Sequence, residues 1–292
     1  MQGNGKTYPI RTRLFNAVCM DPDPDEHSDE RLVGEWWQDH VAADERFFAR
    51  MPPDLSFEGR SVLDYGCGAG HTSVLMGLRG ARRVLGVDIQ GVSLARRELR
   101  THHPELADRV EFRQIQAADD IGDERFDLVL SKNSFEHVED PEQYVADMTR
   151  LVAPGGELAI GFGGLWKSPY GGHVNFMTKL PWVHLLFPEE VILRERKRFR
   201  PDEDPTCFEE IKGGLNRMTL ARFKAIMAKS GLEPTYFAIN RNDRKIAKAL
   251  NLFSRIPGLR EYFTFSVHTV WRRRDAEPSH ISAEPRVLAG GG

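Results

Sequence analysis

Val62-Leu63-Asp64-Tyr65-Gly66-Cys67-Gly68-Ala69-Gly70 decides how this chain is read. A short apolar run ends in a carboxylate and then breaks into three glycines separated by single residues. Such a run reads as a buried strand whose C-terminal end opens into a ligand-holding turn. The turn feeds a helix expected to start near His71 or Thr72. Glycine takes positive φ readily and lets a ligand come close with no Cβ in the way. Unpaired N–H groups at the start of the next helix add a mildly positive field. The combination suits a cofactor that carries a nucleoside.

Working outward, the turn departs from the dinucleotide pattern G-x-G-x-x-G. Counted from Gly66, the third glycine of that pattern falls on His71; here it comes one residue early, at Gly70. Arg83-Val84-Leu85-Gly86-Val87-Asp88 then reads as a second strand ending in an acid. Asp88 stands 22 residues after Gly66, the spacing at which a carboxylate on the neighbouring strand meets ribose hydroxyls. Phe126-Asp127-Leu128-Val129-Leu130-Ser131 is a fourth-strand candidate, followed by Ser134-Phe135-Glu136-His137-Val138. Arg150-Leu151-Val152-Ala153-Pro154-Gly155-Gly156-Glu157-Leu158 ends a helix and turns into a fifth strand.

Taken in order, these blocks resemble the class I S-adenosylmethionine-dependent methyltransferases over residues 58–163. The resemblance implies an α/β fold, a three-layer Rossmann-like sandwich. Its mostly parallel seven-stranded sheet has an antiparallel last strand. It also implies S-adenosyl-L-methionine as cofactor and methyl transfer as the reaction. By the same resemblance Gly66, Gly68 and Gly70 pack under the methionine part, with Cys67 a small filler in the turn. Asp64 favours the cofactor ammonium through water. Asp88 accepts bonds from both ribose hydroxyls, and its neighbour Ile89 joins the cofactor set. Family members often place an Asp at the third-strand end to meet adenine. This chain reads Gln114-Ile115-Gln116-Ala117-Ala118-Asp119 there, so Gln116 or Asp119 is expected to serve, with a backbone N–H from Ala117 or Asp120. Ser131, placed after the fourth strand, offers its carbonyl to the ammonium.

Composition bounds the rest. At 292 residues, with 40% apolar and 28% charged side chains, the chain can bury a large core. A net charge of −3 lends no support to a polyanion binder. Cys19, Cys67 and Cys207 are too scattered for a disulfide framework, which favours a reducing, cytoplasmic compartment. Met1–Arg13 has no apolar core of a signal peptide, and no run reaches the length of a membrane span, so no membrane insertion is expected. No His/Cys/Asp spacing points to a metal site.

The expected organisation has five parts. Residues 1–57 form an N-terminal extension, irregular over 1–30, with a lid helix from Asp29 to Met51 that carries Trp36, Trp37 and His40. Residues 58–163 are the cofactor-binding core. Residues 164–217, rich in aromatics, His and Pro, form an acceptor-binding insertion. Residues 218–272 complete the sheet, with Thr219 capping a helix, a strand over 235–240, a helix over 243–255 and a last strand over 263–271. Residues 273–292 read as a disordered tail. The basic run Arg194-Glu195-Arg196-Lys197-Arg198-Phe199-Arg200 is expected to be a solvated helix face, with attraction of a phosphate or carboxylate on the acceptor as the alternative.

Two histidines are the catalytic candidates. His173, in Ser168-Pro169-Tyr170-Gly171-Gly172-His173, follows the fifth strand and suits a general base at neutral pH. His137, in the Glu-His pair, is the second; His184 is weaker. The expected function is methyl transfer to a small-molecule or glycan-type acceptor. O-methylation is preferred because of His173. N-methylation and a non-catalytic cofactor-binding partner subunit are the alternatives. Nucleic-acid methylation is disfavoured, since Ser131-Lys132-Asn133-Ser134 replaces the Asn/Asp-Pro-Pro-aromatic motif of amino-directed base methylases. A nicotinamide oxidoreductase is disfavoured by His71.

Overall fold

The computed structural model of the chain describes residues 9–22, 33–211, 213–241, 248 and 251–275. Seven strands form one sheet in the order β3-β2-β1-β4-β5-β7-β6. They are β1 (Ser61–Tyr65), β2 (Arg83–Asp88), β3 (Val110–Gln114), β4 (Phe126–Lys132), β5 (Val152–Gly163), β6 (Glu233–Ile239) and β7 (Ser266–Arg272). The first five pair in parallel, with Leu63 opposite Leu85 on one side and Val129 on the other. Only β7 runs against its neighbours β5 and β6, as expected for the last strand. Parallel strands need crossover helices, which cover both faces and demand apolar runs such as Val62-Leu63 and Leu128-Val129-Leu130.

Alternate residues of each strand point into separate cores. Val62, Val84, Leu128 and Leu130 face α2 (Val33–Phe48), α3 (His71–Leu78) and α4 (Val92–His102). Leu63, Leu85, Val129 and Leu158 face α5 (Pro141–Leu151) and, further along the chain, the helix Leu220–Ala228. Asp140 caps α5, accepting the Gln143 N–H at 2.9 Å with Pro141 in the first turn. Thr219 caps Leu220–Ala228 through the Arg222 N–H at 3.1 Å. Gly161 of β5 makes a slot for α2: a Cβ there would lie 2.5 Å from the Phe47 ring.

Four expectations need correction. Residues 1–30 are not all irregular, because α1 (Pro9–Asn16) is a helix. Its weak periodicity hid it; what stabilises it is Phe15, fully buried in the core of the 164–217 insertion beside Val174, Met177, Ile192 and Phe208. The last strand begins at Ser266, since Arg260–Phe263 is a helical turn that seats Phe263 on Trp182. The basic run is only partly solvated: Glu195, Arg196 and Phe199 are buried, and Arg196 pairs with Glu203 at 2.8 Å. Ser131 lies inside β4, paired with Ile160, and not after it.

The insertion carries α6 (Val183–Leu186) and α7 (Glu189–Arg196), and Leu220–Ala228 is α8. Of the helix expected over 243–255, residues 248 and 251–253 are helical, and 243–247, 249 and 250 lie outside the described residues. The side chains of Trp36 and Trp37 and the tail after 275 lie outside them too. Among the described residues no helix is long and apolar enough to cross a membrane. The insertion core predicts that Phe15→Ala costs about 3–5 kcal/mol, read by urea denaturation. Hydrogen exchange should accelerate first over residues 174–215; uniform acceleration across the sheet would contradict this packing.

Candidate active site

The parallel strands end along one edge, and strand order reverses between β1 and β4, where open α/β sheets hold their ligands. The glycine turn leaves β1 at that point. Gly66, Gly68 and Gly70 all have positive φ, at 86°, 51° and 86°. The turn is tied to β2, since the Gly66 and Cys67 N–H groups both donate to the Val87 carbonyl, at 2.9 and 3.0 Å. Gly70 has a second reason to be glycine: a Cβ would come within 2.5 Å of the Phe112 ring. The helix then starts at His71, as the sequence indicated.

Asp88 completes the turn. Its Oδ2 accepts the Gly68 N–H at 2.8 Å and its Oδ1 the Gln90 N–H at 3.1 Å. Beside it Ile89 is 63% exposed, an apolar side chain standing in solvent at the strand tip. The loop after β3 turns on Asp120, whose Oδ2 accepts from Gln116 N at 2.7 Å and Ala117 N at 3.2 Å. Those two bonds hold the Asp120 carboxyl below its usual range. The Asp120 N–H in turn donates to the Ala117 carbonyl at 3.1 Å. The main-chain donors expected to meet adenine, Ala117 and Asp120, are therefore engaged within their own loop. The Gln116 side chain is exposed, and Asp119 pairs with Arg150.

Asp64 is buried and accepts from the Ser73 hydroxyl at 2.6 Å. Loss of solvent pushes its carboxyl up to about 7, against the opposing pull of that hydroxyl and of Lys132. Lys132, at the tip of β4, forms an ion pair with fully buried Asp44 of α2. The Thr72 hydroxyl donates to Asp44 Oδ2 at 3.3 Å. The His40 ring stacks on His71, with centroids 4.5 Å apart. Sequence reading missed Asp44 and Lys132. The available signal was a lysine closing an apolar strand, since a buried ammonium needs a carboxylate from somewhere.

Behind the turn, Ser134 Oγ donates to the Gly66 carbonyl at 3.2 Å, and Tyr144 OH donates to the Tyr65 carbonyl at 2.9 Å. Ser131 Oγ lies 3.1 Å from Tyr144 OH. Cys67 is buried, and loss of solvent drives its thiol pKa upward, so it stays protonated and unreactive.

His137 follows β4 and His173 follows β5, parallel strands that end on the same edge as β1. His137 Nδ1 lies 2.8 Å from the Gly214 carbonyl and must donate to it, which leaves Nε2 as an acceptor in the neutral ring. Its ring meets His173 edge-on at 5.3 Å. His173 holds a φ of 50°, uncommon for a residue with a side chain. Gly164, the residue after β5, gives its ring room: a Cβ there would sit 1.9 Å from His173 Nε2. Burial, followed by the charges of His137, His184 and Arg196, pushes His173 down to about 4. A pocket of about 420 Å³ opens here, lined by Gly164, Ser168, Tyr170, His173 and Phe265, with Asn175 and Lys179. His184 instead points its Nε2 at the Trp166 carbonyl and is buried within the insertion. Glu136, also missed, is buried; burial raises its carboxyl to about 8, so it holds a proton at neutral pH.

Residues 63–160 match the methyltransferase domain family. Over 107 residues the chain is 41% identical to a ubiquinone biosynthesis O-methyltransferase of Pseudomonas putida, covering 36% of this chain and 44% of that one. Over 114 residues it is 32% identical to a probable chloroplastic tocopherol O-methyltransferase of Oryza sativa subsp. japonica, covering 39% and 32%. The chain thus spans less than half the length of these curated relatives. Among solved structures, a geranyl diphosphate C-methyltransferase from Streptomyces coelicolor A3(2) aligns with a TM-score of 0.52 at 16% identity, over 92% of this chain and 99% of that one. The [4+2]-cyclase SpnF aligns with a TM-score of 0.52 at 16% identity, over 91% and 93%. At such identities these two show the fold alone. Residues 63–160 thus carry a methyltransferase domain, and the sheet around them has the fold of the class I S-adenosylmethionine-dependent methyltransferases. Within that class its matched segment is similar to O-methyltransferases.

Asp64 makes ligand-free stability depend on pH. Its folded pKa, about 7, is raised above 3.8. The stability it contributes is therefore fully present below about pH 3.8 and is lost as pH rises through about 7. Asp64→Asn should flatten the pH dependence of the unfolding free energy across that window, as read by urea melts. An unchanged slope would mean that Asp64 titrates normally.

Proposed function

We propose that this chain moves the methyl group of S-adenosylmethionine to an oxygen of a small organic acceptor seated in the pocket beside His173. The observation that carries this reading is placement. The pocket opens one residue beyond β5, on the same strand edge as the glycine turn, with a deprotonated imidazole in its wall. Two curated relatives bearing the name O-methyltransferase support oxygen over nitrogen.

On this reading Gly66, Cys67, Gly68 and Gly70 cradle the methionine part. Asp64 becomes fully ionised once the cofactor ammonium comes near, because an opposite charge offsets its desolvation. Each Asp88 oxygen already takes one N–H and keeps a lone pair for a ribose hydroxyl. Ile89 packs on the adenine, with Gln116 and Ala117 at its edge, and the Ser131 carbonyl faces the ammonium.

The sulfonium supplies a methyl group that is already reactive. The protein places the acceptor oxygen in line with it, excludes water and removes the hydroxyl proton. His173 is the base; its lowered pKa keeps it neutral through the physiological range. His137, with its tautomer set by Gly214, is the alternative base. The insertion 164–217 forms the acceptor side, and free Cys19, Cys67 and Cys207 suit a reducing, cytoplasmic setting. A second reading, cofactor binding without methyl transfer, draws on the likeness of this fold to one named as a cyclase.

Two measurements test the proposal. Asp88→Ala should weaken S-adenosylmethionine binding by about tenfold to a hundredfold in calorimetry, the worth of hydrogen bonds to a charged group; undiminished uptake would remove the cofactor assignment. His173→Ala should lower labelled methyl transfer to a panel of phenolic acceptors by about 10²–10⁴-fold with cofactor affinity unchanged. A loss seen only in His137→Gln moves the base to His137. Cofactor binding without any labelled product favours the second reading.

A further inference from the structure

The stretch from Asn251 to Phe263 leaves Leu252, Phe253, Ile256, Leu259 and Tyr262 in solvent, Leu252 by 61% of its surface. Trp182 joins this stretch to the insertion. Its Nε1 donates to the Tyr262 carbonyl at 3.2 Å, and its ring packs edge-on against Phe263 with centroids 5.3 Å apart. Trp182 also begins α6, which exposes Leu185 and, by 63%, Leu186. Two segments remote in sequence thus build one apolar face. Phe265, just beyond it, lines the His173 pocket.

Among the described residues of the Asn251–Phe263 stretch, the exposed charges are basic. Lys248, Arg255 and Arg260 are exposed, and Lys167 Nζ sits over the Tyr262 ring at 5.9 Å. The nearby acid, Glu261, is turned inward: its carboxylate accepts the Leu220 and Ala221 N–H groups at 3.2 and 2.8 Å, at the start of α8. In a chain of net charge −3 this is a local reversal. Contiguous apolar surface exposed in this way marks an interaction site. An apolar centre with a basic rim matches the boundary of an anionic bilayer, where the side chains enter between headgroups and the cations meet phosphates.

We propose that this face docks the protein peripherally on an anionic lipid surface, with the pocket beside it and no segment spanning the bilayer. A second copy of the chain is a poor occupant. A two-fold interface would set the same basic rim against itself, and like charges facing each other oppose association.

The test uses the full chain and sedimentation with vesicles, either phosphatidylcholine alone or phosphatidylcholine mixed with phosphatidylglycerol in equal parts. Binding should appear only with phosphatidylglycerol and fall as salt is added. Leu252→Glu combined with Ile256→Glu should reduce it by about tenfold or more, and Arg255→Gln by about fivefold. Leu78→Glu, at the exposed far end of α3, should leave it unchanged. All substituted side chains are solvent-exposed, and circular dichroism confirms that the variants fold. The proposal is overturned by an absence of binding to phosphatidylglycerol vesicles, by an equal loss in Leu78→Glu, or by a dimer that Leu252→Glu dissolves. No methyl transfer is read, so the result stands apart from the proposed reaction.

Discussion

The bond from the Gly68 N–H to the Asp88 carboxylate, 2.8 Å long, is the contact on which the site depends. It spans the first two strand tips and converts a flexible glycine turn into a shaped one. The Val87 carbonyl secures the same turn from below by accepting two N–H groups. The carboxylate that closes β2 therefore also builds the loop beside it.

A second constraint ties the N-terminal helix to this edge. The Lys132–Asp44 ion pair, with Thr72 bonded to Asp44, links α2, α3 and the tip of β4. Buried charge pairs are poor sources of net stability, but removing one partner leaves an uncompensated charge and is strongly destabilising. The pair therefore fixes where α2 lies more than it strengthens the fold. Phe47 entering the slot at Gly161 does the same through shape. Together they align α2 along the row Lys132, Gly161, His268 that crosses β4, β5 and β7.

Much of the cofactor edge was legible in the sequence because its signals are local. A glycine turn, an acid closing a strand and a capped helix each act within a few residues, and each appears where its pattern pointed. The strand with the antiparallel sense followed from the same run of blocks. What escaped has a common cause. Helix α1 carries little periodicity of its own and exists through Phe15 in a core assembled from residues 174–215. The basic run looked solvated until Glu203, from a later turn, came to Arg196. The loop after β3 reads as offering free N–H groups, yet Asp120 closes back upon those of Gln116 and Ala117.

The sequence by itself determined the layer architecture and the position of the glycine turn and Asp88 at the strand tips, because alternation of apolar runs with turn residues constrains strand and helix placement without distant partners. Tertiary structure alone decided the rest. The pKa values of Asp64, Glu136 and His173 come from burial by segments far along the chain. The pocket exists because β5 and β7 bring Gly164 and Phe265 beside residues of the insertion. The physical reason is range: backbone conformation is set mainly by neighbours in sequence, whereas desolvation and electrostatics are set by whatever the folded chain brings close.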